Sequence, residues 1–172
     1  AIKNVEVPAS QFEKALDGDI MFDGSSIQGF SRIEESDMLL KPDLDTFVVF
    51  PWRDERGTVA MLICDVFNPD ETPFDGCPRG TLRRAVADAK SMGYKAMFGP
   101  ELEFFLFRES YEDAHAKSFA ALTPISPYNE DYHILQTTKE EHVMRPLRNH
   151  LWNAGIPVEC TKGEAETGQE EL

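Results

Sequence analysis

Apolar and polar positions change period several times along the chain. Val5-Glu6-Val7-Pro8 reads as a strand or short helix, and residues 9–16 as an amphipathic helix with Ser10 placed to cap it. Met21-Phe22-Asp23-Gly24-Ser25-Ser26-Ile27-Gln28-Gly29-Phe30 is a Gly/Ser/Asp loop bracketed by two phenylalanines. The string Glu34 to Asp43 predicts a short strand closed by a Pro42-Asp43 turn. Residues 46–51 and 58–68 follow as strands, the second alternating at Val59, Met61 and Ile63. Arg53-Asp54-Glu55-Arg56-Gly57 between them carries a hairpin signal. A single helix with several short strands predicts a small α+β module.

Three prolines, a glycine and several acids crowd residues 68–78, and a domain boundary is expected there. Residues 79–92 have the helical period, with Leu82, Ala85, Val86 and Ala89 as the apolar stripe and Gly93 as the stop. After Gly99-Pro100, the run Glu101-Leu102-Glu103-Phe104-Phe105-Leu106-Phe107 predicts a buried strand. Alternation puts Glu101, Glu103, Phe105 and Phe107 on one face, the two carboxylates about 7 Å apart. Residues 109–123 read as a loop with a helical turn, and 124–129 show no period. Residues 137–154 predict a long helix, stopped by Gly155 and either kinked at Pro146 or starting later than its pattern. Ile156-Pro157-Val158-Glu159-Cys160 predicts a strand, and 161–169 a polar turn region.

Composition narrows the field. A chain of 172 residues, 41% hydrophobic, can bury a core and is globular rather than disordered. With 31 acidic against 17 basic residues, the net charge of −14 argues against a nucleic-acid partner, since phosphate binding needs clustered Lys and Arg. Cys64, Cys77 and Cys160 form no CxxC pair, which argues against a disulfide framework or zinc ribbon and predicts a reducing cytoplasm. No 18-residue apolar run predicts a membrane span, and Ala1-Ile2-Lys3-Asn4-Val5 lacks the form of a signal peptide. Gly168-Gln169-Glu170-Glu171-Leu172 stops as if in mid-element, so the chain reads as a fragment.

The acidity has a second use. Glu101 and Glu103 at one strand start, with Glu164 and Glu171 at the turn closing another, supply the oxygen ligands that Mg²⁺ or Mn²⁺ prefers. Four such residues build most of a two-metal site for phosphoryl transfer; solvated, salt-bridged glutamates are the alternative. Asp23-Gly24-Ser25-Ser26 offers backbone N–H groups to an anion but lacks a P-loop's Gly-Lys-Ser/Thr, and a surface turn is the plainer reading. Asp37, after Glu34-Glu35-Ser36, reads equally as a solvated strand edge. His115, His133, His142 and His150 form no metal-binding spacing. Lys162, beside Gly163, is placed to meet a phosphate or a carboxylate.

Taken together, several strings give the chain a resemblance. Phe22-Asp23-Gly24-Ser25-Ser26-Ile27 with Gly29-Phe30, Glu35-Ser36-Asp37-Met38, Lys41-Pro42-Asp43 running into Thr46-Phe47, Cys64-Asp65-Val66, Pro78-Arg79, Gly99 to Phe107, and Glu164 with Gly168-Gln169-Glu170-Glu171 occur in one order. In that order the chain resembles the N-terminal part of a glutamine synthetase of the bacterial dodecameric type, densely over 3–107 and more sparsely beyond. The resemblance implies an α+β chain: a β-grasp domain over 1–75, then the incomplete start of the catalytic α/β domain over 76–172. It implies a ligase joining ammonia to the γ-carboxylate of glutamate through γ-glutamyl phosphate, with ATP as substrate and two or more Mg²⁺ or Mn²⁺ ions per site. Glu103, Glu164 and Glu171 would bind the metal facing glutamate, and Glu101 the metal bridging the ATP phosphates. Asp23, with Asp37 nearby, would bind ammonium and help remove its proton in a neighbouring subunit's site, which requires a homo-oligomer, a dodecamer in the full-length family. The remaining metal ligands, substrate-binding arginines and most of the nucleotide site would follow Leu172, so the fragment alone is expected to be inactive.

Two departures stand out. Typical members carry a His-His pair directly before the glutamate matching Glu164, where this chain has Lys162-Gly163. The usual Gly-Gly-Tyr-Phe stretch is replaced by Ser126-Pro127-Tyr128-Asn129-Glu130-Asp131-Tyr132. Both resemble a divergent branch, some of whose members join glutamate to other amines. A glutamate–amine ligase and a non-catalytic structural relative are therefore the alternatives.

Overall fold

The computed structural model describes residues 3–52, 57–129 and 131–172. They fall into two compact units, 3–49 with 59–97, and 50–52, 57–58 and 98–129 with 131–172. Each is a small mixed α and β assembly. Among the described residues no helix is long and apolar enough to cross a membrane.

In the first unit, residues 3–8 form no regular element. A 3₁₀ turn at Ala9–Gln11 leads into helix α1, Phe12–Leu16, and neither is capped by a side chain, so Ser10 does not serve as the expected cap. Strands β1 (Ile20–Asp23), β2 (Asp37–Val49) and β3 (Ala60–Phe67) make an antiparallel sheet in that order. The loop expected over 21–30 thus begins as strand, Met21 and Phe22 pairing with Leu39 and Met38. Likewise the chain does not turn at Pro42-Asp43. Strand β2 runs straight through, with a register shift between Asp43 and Val48 that merges two expected strands into one. The Asp43 carboxylate accepts from the Asp45 amide at 3.2 Å, and the Thr46 hydroxyl donates to the Asp43 carbonyl at 2.6 Å while accepting from the Ile63 amide at 2.8 Å. The turn chemistry is real, but it is spent on a bulge, where a strand tolerates proline. The hairpin expected at Arg53–Gly57 has its first four residues, 53–56, outside the described residues.

Helix α2, Pro78–Ser91, follows the predicted bounds within a residue. Pro78 sits in the first turn, where its missing N–H costs nothing, and Gly93 ends the helix at φ +85°. The cap is a thiol: Cys77 Sγ accepts from the Gly80 amide at 3.5 Å and from the Val66 amide of β3 at 3.4 Å. Arg79 and Arg83 tie the helix to the sheet by pairing with Asp43 of β2 and Asp65 of β3. The Arg79 guanidinium beside Asp43 holds that carboxyl below its ordinary value. Met38, Leu39 and Cys77 are buried at the centre, whereas Leu82 and Val86 of the apolar stripe lie exposed.

The second unit is built on strands β4 (Glu103–Phe105), β5 (Lys162–Gly163) and β6 (Gln169–Glu171), antiparallel in the order β4-β6-β5. The strand expected after Gly99-Pro100 is shorter than its apolar run and is not buried: Leu102, Phe105 and Phe107 are exposed, and the ladder holds β4 on the β6 side. Alternation does hold, since Phe105 and Phe107 stack with ring centroids 6.3 Å apart. Helix α3, Tyr111–Ala116, capped by Ser110, supplies the expected helical turn. The long helix divides into α4, Ile134–Lys139, and α5, Glu141–Asn153, with Pro146 inside α5 and Gly155 ending it at φ +80°. The break falls at Glu140 rather than at the proline. Residues 156–160 form no strand; the pairing starts two residues later, at Lys162. Met144 and Ala114 are its buried apolar side chains among the described residues.

Candidate functional site

Two groups of predicted residues come together, one in each unit. In the first, the antiparallel register sets Asp23, the last residue of β1, directly opposite Asp37, the first of β2. Like charges opposed in this way repel, so each needs other partners. Asp23 finds them in its own loop. Its Oδ1 accepts from the Ser25 amide at 2.9 Å and the Ser25 hydroxyl at 2.6 Å, and its Oδ2 from the Ser26 hydroxyl at 3.1 Å. These bonds, the Ser25 hydroxyl foremost, hold the Asp23 carboxyl below its ordinary value, so it is ionised near neutral pH. The Gly24-Ser25-Ser26 loop therefore does cradle an anion, and that anion is Asp23. Gly24 packs tightly here: a Cβ would fall 2.4 Å from Met38 Sδ and force the Met38 side chain to move. Asp37 lines a cavity of about 470 Å³ with Phe30, Ser31, Met38, Asn68 and Phe74.

In the second unit the sheet register assembles the glutamates. Glu103 of β4 lies opposite Glu171 of β6, and Glu171 lies opposite Lys162 of β5. Gln169, two residues before Glu171, shares its face, and its amide donates to Glu103 Oε2 at 2.8 Å. The ladder continues one step, Leu102 and Leu172 exchanging amide–carbonyl bonds of 2.9 and 3.1 Å, which brings Glu101 to the same end of the sheet. Glu164 follows β5 and shares a hydrogen bond with Glu171; that sharing raises the Glu171 carboxyl, and the Glu101 charge adds to the rise. Four carboxylates thus lie at one end of this sheet, Glu164 and Glu171 in direct contact.

One cation stands among them. The Lys162 ammonium bonds to Glu164, lies 3.2 Å from Glu171 and 4.0 Å from Asp131, and sits 5.0 Å over the Tyr132 ring. Its carboxylate partners, Glu164 first, raise its own pKa, so the charge is permanent at any working pH. Among the described residues no three His, Cys, Asp or Glu side chains are grouped closely enough to hold a metal ion as they stand. The donor set nevertheless suits a hard divalent ion: every group is an oxygen anion, and their charge exceeds what one lysine neutralises. Gln169, Asp131 and Tyr132 were not singled out by sequence reasoning. For Gln169 the signal was its place two residues from Glu171 on an alternating strand; Asp131 and Tyr132 were visible only as part of the stretch that departs from the family pattern.

The fold is α+β, and each unit carries a cluster of acidic side chains. Comparison with known proteins makes this specific. Residues 1–69 match the glutamine synthetase β-grasp domain and residues 75–172 the glutamine synthetase catalytic domain. The chain belongs to the glutamine synthetase family, a family of ligases. It is 47% identical over 171 residues to a glutamine synthetase of Clostridium saccharobutylicum, covering 99% of this chain and 37% of that one. With a glutamine synthetase of Thermus thermophilus it shares 47% over 181 residues, covering 99% and 38%. The chain thus spans little more than a third of the curated relatives it matches. A solved GmaS complex with ADP shares the fold at a TM-score of 0.76 and 22% identity, over 96% of this chain and 36% of that one.

Proposed function

We propose that this chain is the N-terminal part of an ATP-dependent glutamate–ammonia ligase that forms glutamine through γ-glutamyl phosphate. In this reading residues 1–75 are the β-grasp domain and 76–172 the start of the catalytic domain. The observation that supports it is the placement of Glu101, Glu103, Glu164 and Glu171 at one sheet end in a chain of this family. Glu103, Glu164 and Glu171 would hold the divalent ion facing glutamate, and Glu101 the ion facing the ATP phosphates. Mg²⁺ or Mn²⁺, when bound, neutralises charge on the transferring phosphoryl group. Gln169 keeps the Glu103 carboxylate oriented by its 2.8 Å bond. Asp23, ionised and fixed by Ser25 and Ser26, attracts ammonium and accepts its proton, leaving the ammonia lone pair free to attack, with Asp37 adding to the local negative field. Because Asp23 serves a neighbouring subunit in this scheme, the working protein is a homo-oligomer, a dodecamer by analogy with the family, in the cytoplasm.

A second reading is a glutamate–amine ligase, favoured by Lys162 standing where typical members carry histidine. The full-length protein, assayed for ATP-dependent phosphate release with glutamate and either ammonia or a panel of alkylamines and polyamines, separates the two. Release with ammonia, abolished by Glu103→Ala, is expected. Release only with an amine would replace ammonia as the nitrogen donor, and release with neither would leave a non-catalytic relative.

A further inference from the structure

The Lys162 ammonium takes the place among the glutamates that a cation must fill. It bonds to Glu164, approaches Glu171 to 3.2 Å, and has Asp131 at 4.0 Å and the Tyr132 ring at 5.0 Å on its other side. An unpaired group of carboxylates packed this closely is costly, so the lysine stabilises the cluster when no metal is bound. A divalent ion ligated by Glu164 and Glu171 would use the same oxygens and meet a like charge at close range. Ammonium and metal therefore exclude one another from that position. The lysine stem is long and flexible, and Asp131 with the Tyr132 face forms a second resting place within a short swing.

We infer that Lys162 is a resident counter-ion that competes with the divalent metal for Glu164 and Glu171, swinging toward Asp131 and Tyr132 when metal enters. This inference rests on the metal reading of the four glutamates proposed above. Its consequences are a weakened metal site and a metal-free protein that keeps its cluster folded.

The test is calorimetric titration of Mn²⁺ into the full-length protein as wild type, Lys162→Met, Lys162→Gln and Lys162→Arg, with melting in EDTA as a second readout. Removing the charge is expected to tighten Mn²⁺ binding roughly three- to tenfold, in line with one ion pair lost as competitor, and to lower the metal-free melting temperature. Lys162→Arg should stay near wild type. Should Lys162→Met not fold, Lys162→Gln, which keeps a polar stem, provides the same comparison. Unchanged or weaker Mn²⁺ binding in the neutral variants, with wild type binding normally, overturns the inference alone. Absence of saturable Mn²⁺ binding in every protein, wild type included, overturns the metal reading and the inference with it.

Discussion

Gly168 offers the sharpest test of how the glutamate site is held. It has φ +73°, and a Cβ built there would lie 2.8 Å from the Leu106 carbonyl oxygen and 3.3 Å from both the Ile125 amide and Pro124 Cβ. Two costs follow for Gly168→Ala. A left-handed conformation costs an L-residue about 1–2 kcal/mol. The overlap adds about 1–3 kcal/mol, because the obstacle is backbone that cannot rotate away. Leu106 is itself pinned: its amide donates to the Gly168 carbonyl at 2.8 Å, and its carbonyl accepts from the Ile125 amide at 2.9 Å. Relief therefore pulls β4 off β6 and Glu103 away from Glu171. The expected loss is about 2–5 kcal/mol, the sum of those two contributions. Two neighbours separate them. Gly155 has φ +80° with nothing within 4 Å of its Cβ, so Gly155→Ala should lose only the conformational part, about 1–2 kcal/mol. Gly99 has neither feature, and Gly99→Ala should stay within about 0.5 kcal/mol of wild type. Both tryptophans, Trp52 and Trp152, belong to the second unit, so urea unfolding followed by tryptophan fluorescence reports on that unit. Equal losses at Gly168 and Gly155 would refute the close approach to Leu106.

The Glu109 carboxyl is held well below 4.5, to about 2, by the Lys117 ammonium at 2.7 Å and then by the Thr123 amide. A folded-state pKa below the unfolded one gives stability that is complete above about pH 4.5 and lost as pH falls toward 2. Wild type should thus lose stability over that window more steeply than Glu109→Gln in urea midpoints measured against pH, and parallel curves would contradict the assignment. Thiol labelling should separate the three cysteines. Exposed Cys160 reacts first, half-buried Cys64 slowly because burial raises its pKa, and buried Cys77 only on unfolding. Peptide mapping after brief exposure to a thiol reagent checks the order, and early labelling of Cys77 would mean that its cap on α2 opens readily.

What the sequence made legible was local. Helix α2 could be bounded because Pro78 and Gly93 punctuate it, and β3 because its apolar residues alternate. Where local chemistry had two outcomes, the reading failed. Pro42-Asp43 looks the same whether the chain reverses or bulges, and only the partner strand decides. Residues 156–160 have strand-forming side chains, yet no ladder forms until Lys162 faces Glu171. The pairing of Glu103 with Glu171 joins distant parts of the chain, so it was reachable only through resemblance to a family. Lys162 is the instructive case. The sequence marks it as a departure placed to meet a phosphate or a carboxylate, and its standing among three carboxylates emerges only from the register.

The topology β4-β6-β5 also sets an order of assembly. Strands β5 and β6 are joined by a short reversal and can close on the microsecond scale of a hairpin, whereas β4 must be recruited across most of the second unit. The β5–β6 hairpin by itself contains Lys162, Glu164 and Glu171, so one charge of its acidic pair is balanced without Glu103 or Glu101. A chain that gathered all four glutamates at once would meet an electrostatic barrier at its slowest step. Here the lysine belongs to the local hairpin, so β4 docks against a cluster whose repulsion is partly discharged within its own hairpin.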